Sequence, residues 1–285
     1  MPFREVYSRW SSQGLFYTDS WNVDIITILP DGQRVGELPP KPVALLLHGL
    51  GSSSCFYHTI ISAISSSIRC IALDYPGSGM SSPTPLSSPH SIQTLVKTAV
   101  KLIDELGFKE KIVVVGHSIG SIIASHLAAE YPDRIGGVVL LGPLNPCKGL
   151  AYILKGRIET GNGLIDLAFS LPQNTTSRTS TPLARAYVRS FILSTDPNEY
   201  ARLSKVITDS KRPLYSAIKA PLLILAGKDD MNVFSEEIME AYGTAKHKKQ
   251  LEWLKGCGHW ISDEQGDVAA EKIKRFVEQK AEVAS

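Results

Sequence analysis

The 285-residue sequence predicts an α/β fold: a mostly parallel, doubly wound sheet with a helical cap inserted after a central strand. Three observations predict it. Short, continuous apolar runs each end in glycine or a polar residue, helical periods separate them, and one long interval is helical in pattern without a strand run. Continuous rather than alternating runs mark strands buried on both faces of a parallel sheet. Strands alternating with helices imply right-handed βαβ crossovers.

The elements follow in order. The strand-like Asn22–Leu29 with an Asp31-Gly32 turn reads as an antiparallel edge. Val43–Leu47, Cys70–Leu73, Ile112–Val115, Val138–Leu141 and Leu222–Leu225 are the buried runs, and Gln250–Leu254 is a further strand-like stretch. Between Ser91 and Leu106, the residues Ile92, Leu95, Val96, Ala99, Leu102, Ile103 and Leu106 keep the spacing of one buried helix face, and Gly107 closes it. Ser118–Glu130 is almost wholly apolar, as a central helix is, and Val268–Val277 repeats the helical pattern. Between Gly142 and Ala220 turns and the Ser/Thr-rich loop Asn174–Pro182 interrupt helical pattern. The chain is thus expected to divide into a core, residues 1–143 and 213–285, and a cap, residues 144–212, over the C-terminal ends of the strands.

Composition excludes several function classes. Thirty Lys+Arg against 28 Asp+Glu leave a formal charge of +2, too small to make the whole chain a nucleic-acid binder. No apolar run approaches the roughly 20 residues of a membrane span. The opening MPFREVYSRW has no apolar core of a secretory signal. Cys55, Cys70, Cys147 and Cys257 are scattered without a CxxC pair, which fits free thiols in a reducing compartment and not a zinc site or disulfide framework. The expectation is a cytoplasmic protein with no nucleic-acid or membrane partner. Oligomeric state is not readable from the sequence.

Gly116-His117-Ser118-Ile119-Gly120 matches G-x-S-x-G directly after a strand run and directly before an apolar helix. That context suits a nucleophile elbow: the serine sits on a strained turn, and the flanking glycines keep Cβ atoms away from neighbouring elements. The bland alternative is a glycine turn with a helix-capping serine. A serine hydroxyl needs a general base, normally a histidine oriented by a carboxylate. Of the seven histidines, His259 lies in the glycine-rich Gly256-Cys257-Gly258-His259-Trp260 after a strand-like stretch. His247 stands among lysines and reads as solvated, and His58, His90 and His126 have no strand-end context. The carboxylate is sought in Ala226-Gly227-Lys228-Asp229-Asp230, where two aspartates compete. The fourth position of G-x-x-D is Asp230, which is assigned as the acid, leaving Asp229 to shape or cap the loop.

Acyl transfer also needs two N–H donors aimed at the oxyanion. The amide of Ile119, next after the nucleophile, is one candidate. The amide of Leu50, between Gly49 and Gly51, is the other. His117 precedes the nucleophile, where it packs or hydrogen-bonds locally; together with Gly49 and Trp260 it is assigned to the substrate-binding surface.

These motifs resemble the α/β-hydrolase fold family over roughly residues 38–277. They stand as His48-Gly49-Leu50-Gly51, Asp74-Tyr75-Pro76-Gly77-Ser78-Gly79-Met80-Ser81, Gly116-His117-Ser118-Ile119-Gly120, Gly227-Lys228-Asp229-Asp230 and Gly258-His259. The resemblance implies a Ser118, Asp230, His259 triad and a structural role for Asp74. A narrower likeness is to the 3-oxoadipate enol-lactonase-like branch, fungal members included. It rests on Thr195-Asp196-Pro197-Asn198-Glu199-Tyr200-Ala201, Gly142-Pro143-Leu144-Asn145-Pro146 and Gly258-His259-Trp260. It implies hydrolysis of a small carboxylic ester or lactone through an acyl-enzyme, with no metal or organic cofactor.

The cap holds ten Lys/Arg and five Asp/Glu, a surplus that would suit an acidic substrate. On the helix Leu183–Leu193, however, Leu183, Ala184, Tyr187, Val188 and Phe191 form the apolar face, so Arg185 and Arg189 read as solvated. Arg157 and Arg178 remain as anion-binding candidates. A carbon–carbon bond hydrolase with the same triad is the nearest alternative. Epoxide hydrolases and haloalkane dehalogenases are disfavoured because their ester-forming nucleophile is a carboxylate. A hydrolase-like ligand receptor is the alternative from another class.

Overall fold

A computed structural model describes residues 7–21, 27–28, 34–35, 42–83, 90–146, 164–231, 243 and 249–284. Six strands form the parallel core: β5 (Val43–Leu47), β6 (Arg69–Leu73), β7 (Ile112–His117), β8 (Ile135–Leu141), β9 (Leu222–Gly227) and β10 (Lys249–Leu254). Each expected run is there, extended by a few residues. β1 (Tyr7–Trp10) and β2 (Phe16–Asp19) complete the sheet in the order β1-β2-β6-β5-β7-β8-β9-β10. β1–β2 and β2–β6 are antiparallel, and every other pair is parallel.

The antiparallel edge exists, but β1 and β2 build it rather than Asn22–Leu29. Residues 22–26, 29 and the Asp31-Gly32 turn lie outside the described residues, and β3 (Thr27–Ile28) pairs with β4 (Arg34–Val35) in a separate small sheet. The pattern missed β1 because it reverses the usual alternation: the large apolar Trp10 is exposed with Ser8, and the basic Arg9 is partly buried with Tyr7.

Helices pack on both faces. α1 spans His58–Ile64. α2 (Ile92–Glu105) starts on a capping box, in which Ser91 and Thr94 each accept from the other's backbone, and Gly107 follows at φ 67°. α3 (Ile119–Glu130) packs against β7, β8, β5 and α2, so it is buried nearly all round. Burying Ile119, Ile122, Ile123 and Leu127 contributes about 1.5–3 kcal/mol each. α7 spans Ile261–Ala284, with a non-helical Gln265 near its start.

Between β8 and β9 the described residues hold α4 (Leu164–Thr175), α5 (Pro182–Leu193), α6 (Pro197–Asp209) and no strand. Thr181 and Asp196 cap α5 and α6, each followed by proline at the first helical turn. The ends of this stretch meet: Arg212 Nε donates to Pro146 O at 3.2 Å. On α5 the buried face is Ala184, Val188, Phe191 and Ile192, whereas Leu183 and Tyr187 point outward. The apolar stripe is therefore rotated from the expected one on a helix that packs against α4.

The sheet order reverses at β5, with β6 on one side and β7 on the other. Ligands of open α/β sheets bind outside the strands' carboxyl ends at such a switch point. The loops leaving β5 and β7 meet there.

Candidate active site

β7 turns into α3 through Ser118, at φ 56° and ψ −119°. Among the described residues it is the one non-glycine with positive φ. Holding a serine there costs roughly 1–3 kcal/mol and persists because the surroundings over-determine it. A Cβ on Gly116 would lie 2.2 Å from Gly120 O, and one on Gly120 would lie 2.1 Å from Leu47 O. Both flanking glycines are thus required by close backbone approach. The Ser118 side chain makes no capping bond to α3, so its hydroxyl is not spent on the helix. Ser118 N donates to Leu141 O at 3.2 Å, and Ser121 Oγ donates to Ser118 O at 2.5 Å.

Asp230 follows β9 and His259 follows β10. His259 Nδ1 lies 2.6 Å from Asp230 Oδ2, and the Asp230 side chain is fully buried. A carboxylate accepts, so Nδ1 carries the proton and Nε2 is left to accept. Asp229 is exposed and turned elsewhere: its Oδ2 accepts from Ser177 Oγ at 2.6 Å. The adjacent aspartates thus point to different partners, Asp230 to His259 and Asp229 to Ser177. Gly142, at φ 46°, closes the gap behind them, since a Cβ there would lie 3.2 Å from His259 Nδ1. Ser118 and His259 therefore border the same strand end, Leu141–Gly142. No hydrogen bond joins Ser118 Oγ to His259; such catalytic bonds often tighten only around bound substrate.

The loop after β5 completes the arrangement. A Cβ on Gly49 would lie 2.6 Å from His117 Nδ1 and 3.1 Å from Ser118 Cβ. The main chain leading to Leu50 is thereby pressed against the elbow, while Ile119 supplies the first amide of α3. His48 Nδ1 donates to Gly49 O at 2.8 Å, and burial lowers the His48 pKa. Asp74 orders the next loop by accepting from Ser54 N at 2.6 Å and Met80 N at 2.9 Å.

His117 is buried and neutral. Its Nε2 donates to His259 O at 2.9 Å, and its ring stacks on Phe56 at 4.1 Å. Burial draws its pKa well below the ordinary value, followed by the His259 charge. Trp260 sits 5.7 Å from the His117 ring and stacks on Phe191 at 6.1 Å, with Nε1 donating to Thr175 Oγ1 at 2.8 Å. Three residues around His117, His259 and Trp260 escaped the sequence reading: Phe56, Thr175 and Glu264. Thr175 O accepts from His259 N at 2.7 Å, and Glu264 accepts from Gly258 N and Trp260 N. Nothing but their spacing from the motifs could have singled them out.

Two expectations about arginine are corrected. Arg185 is not solvated: it donates to Thr176 Oγ1, Ser177 O and Arg178 O, clipping the loop after α4. Arg189 is half-buried over the Phe169 ring at 4.8 Å. α4 lies alongside α5, so what would be a solvated face on an isolated helix becomes a helix–helix seam. Arg178 is exposed, and Arg157 and Cys147 lie outside the described residues. Among the described residues no cluster could hold a metal ion, and no helix is long and apolar enough to cross a membrane. Leu140, Leu144, Asn145, Tyr215, Leu222 and Ile224 help line a small apolar pocket, which includes none of the residues assigned above.

The sequence profile of the alpha/beta hydrolase family matches residues 44–272. The chain belongs to the alpha/beta hydrolase family. It is similar to the cis-3-alkyl-4-alkyloxetan-2-one decarboxylase of Shewanella oneidensis, 23% identical, with 88% of this chain and 86% of that relative covered. It is also similar to epoxide hydrolase 4 of Mus musculus, 24% identical over 84% of this chain and 74% of the relative. Among solved structures, the enol-lactonase from Burkholderia xenovorans LB400 superposes with a TM-score of 0.76 at 21% identity, covering 93% of this alpha/beta hydrolase and 97% of that chain. A thermophilic esterase from Thermogutta terrifontis gives 0.78 at 18% identity, covering 97% and 99%. These two likenesses establish the shared fold.

Proposed function

We propose that the protein is a serine hydrolase of a small carboxylic ester or lactone, with Ser118 as nucleophile, His259 as base and Asp230 as the acid that orients it. The observation that carries this is the strained Ser118 elbow bordering the same strand end as the buried 2.6 Å His259–Asp230 pair. His259 Nε2 takes the Ser118 proton as Oγ attacks the carbonyl, and returns it to the leaving alkoxide. The Leu50 and Ile119 amides stabilise the oxyanion. Water then cleaves the acyl-enzyme by the same route. Residues 144–212 act as the cap, with Gly49, His117 and Trp260 shaping the floor.

Two of the similar proteins support lactone chemistry: an oxetan-2-one is a four-membered lactone, and an enol-lactonase opens a lactone. They also support a place near the enol-lactonase-like branch. Opening an epoxide through an ester intermediate would need a carboxylate nucleophile where Ser118 stands. Of the cap arginines, Arg185 and Arg189 are engaged within the cap, and Arg178, one of the two anion-binding candidates, is exposed. The test is fluorophosphonate labelling of wild type and Ser118→Ala, followed by a panel of neutral esters and lactones. Labelling confined to wild type, with turnover of at least one member, is expected. An unlabelled, inactive wild type overturns the reading and favours a ligand receptor.

A further inference from the structure

Glu264 lies one turn into α7 and touches neither Ser118 nor Asp230, yet its carboxylate gathers four donors. Oε2 accepts from Gly258 N at 3.0 Å, from Ser177 N at 2.7 Å and from Ser180 Oγ; Oε1 accepts from Trp260 N at 3.1 Å. Gly258 and Trp260 flank His259. The amide of His259 itself goes to Thr175 O at 2.7 Å. Three consecutive amides of the base-bearing loop are therefore held either by Glu264 or by the end of α4. Ser177 and Ser180 belong to the segment that follows α4, so one side chain binds the base loop and the inserted helical stretch together.

Packing repeats the hydrogen-bond result. A Cβ on Gly258 would lie 2.5 Å from Thr175 O and 2.7 Å from Ser177 N, so the two segments are in backbone contact. Ser177 Oγ reaches on to Asp229, the neighbour of Asp230. The Thr175–Ser180 segment thus grips the loops of both the base and the acid.

We propose that Glu264 is a positioning residue for His259, coupling the seating of the Thr175–Ser180 segment to the alignment of the imidazole with Asp230. When that segment is seated, the base is aligned; when it lifts, His259 N loses its Thr175 acceptor, and Glu264 loses the Ser177 and Ser180 donors that help hold its carboxylate against Gly258 N and Trp260 N. The proposal rests on the functional reading above. It predicts that the inserted helices contribute to the rate as well as to substrate fit.

Glu264→Gln keeps the shape but turns an NH2 group toward part of the donor set. Its kcat on a short neutral ester is expected to fall by about 10- to 100-fold, as small misplacements of a reacting group do, with KM within about twofold. Glu264→Asp should recover part of the rate. A Glu264→Gln enzyme with wild-type kcat overturns the proposal, whatever its melting temperature. Should Glu264→Gln not fold, Ser180→Ala removes the hydroxyl donor that the segment gives Glu264, whereas Ser177 bonds through its main-chain amide; reduced kcat at unchanged KM supports coupling, and unchanged kcat overturns it. A wild type without labelling or turnover defeats the functional reading instead.

Discussion

His117 Nε2 donates to the main-chain carbonyl of His259 across 2.9 Å, joining positions 142 apart in the chain. The residue directly before Ser118 therefore supports the backbone of the residue that faces Asp230. The carbonyl can only accept, so Nε2 holds the proton and Nδ1 is bare, buried and without a partner beside Gly49. Protonating Nδ1 would place a charge where no acceptor waits.

That gives a pH signature. His117 is drawn well below 6.5 and His48 is also lowered, chiefly by burial in both cases. Below the unfolded value near 6.5, the unfolded chain binds protons that the fold excludes, so stability falls as pH falls through that value. Melting temperature should decline between about pH 6.5 and pH 5, and His117→Gln should flatten the slope. A His117→Gln slope as steep as wild type contradicts the neutral assignment.

The elbow sets stability against activity. Ser118→Gly should relieve the φ 56° strain and unfold at about 1 kcal/mol higher stability than Ser118→Ala, which keeps the Cβ. Both should lose turnover by roughly 10³-fold or more. Paired denaturant melts and ester assays check this; equal stability of the two variants would remove strain from the account.

The two aspartates should separate sharply. Asp230→Asn leaves a buried imidazole facing an amide and should lower kcat by about 10³- to 10⁴-fold. Asp229→Asn touches only the Ser177 hydroxyl bond at an exposed position, so its effect should stay within about tenfold, in the range of one lost hydrogen bond. The reverse ranking would reassign the acid.

Thiol reagents should spare the site. Cys257 is buried, and burial, then the charges of Glu264, Asp230 and Asp229, push its thiol far up. Proximity to His259 in the sequence suggests sensitivity, and the structure reverses that. Iodoacetamide at neutral pH should modify the exposed Cys55 first and leave activity intact. Peptide mapping showing early Cys257 alkylation would count against the buried placement.

The parallel core was legible because continuous apolar runs have few other stable homes, and the elbow because G-x-S-x-G stands between a strand and a buried helix. Asp230 and His259 were legible as the polar residues just beyond strand ends. The supports were not: Thr175 acts through a main-chain carbonyl, and Glu264 through a tertiary contact that no local pattern encodes. The orientation of α5 failed for the same kind of reason. Leu183 and Tyr187 share a spacing with the buried residues, but tertiary packing that the spacing does not encode decides which side is covered.

The sheet order also sets a timetable. Ser118 leaves β7, whereas His259 leaves β10, which pairs only with β9 at the edge and is made last. A growing chain can bend its elbow against β5 and β8 while its base is still unmade. Contacts of such long sequence separation form late in folding. Ester cleavage during refolding should therefore lag behind burial of the central sheet, and the lag would date the docking of the final edge.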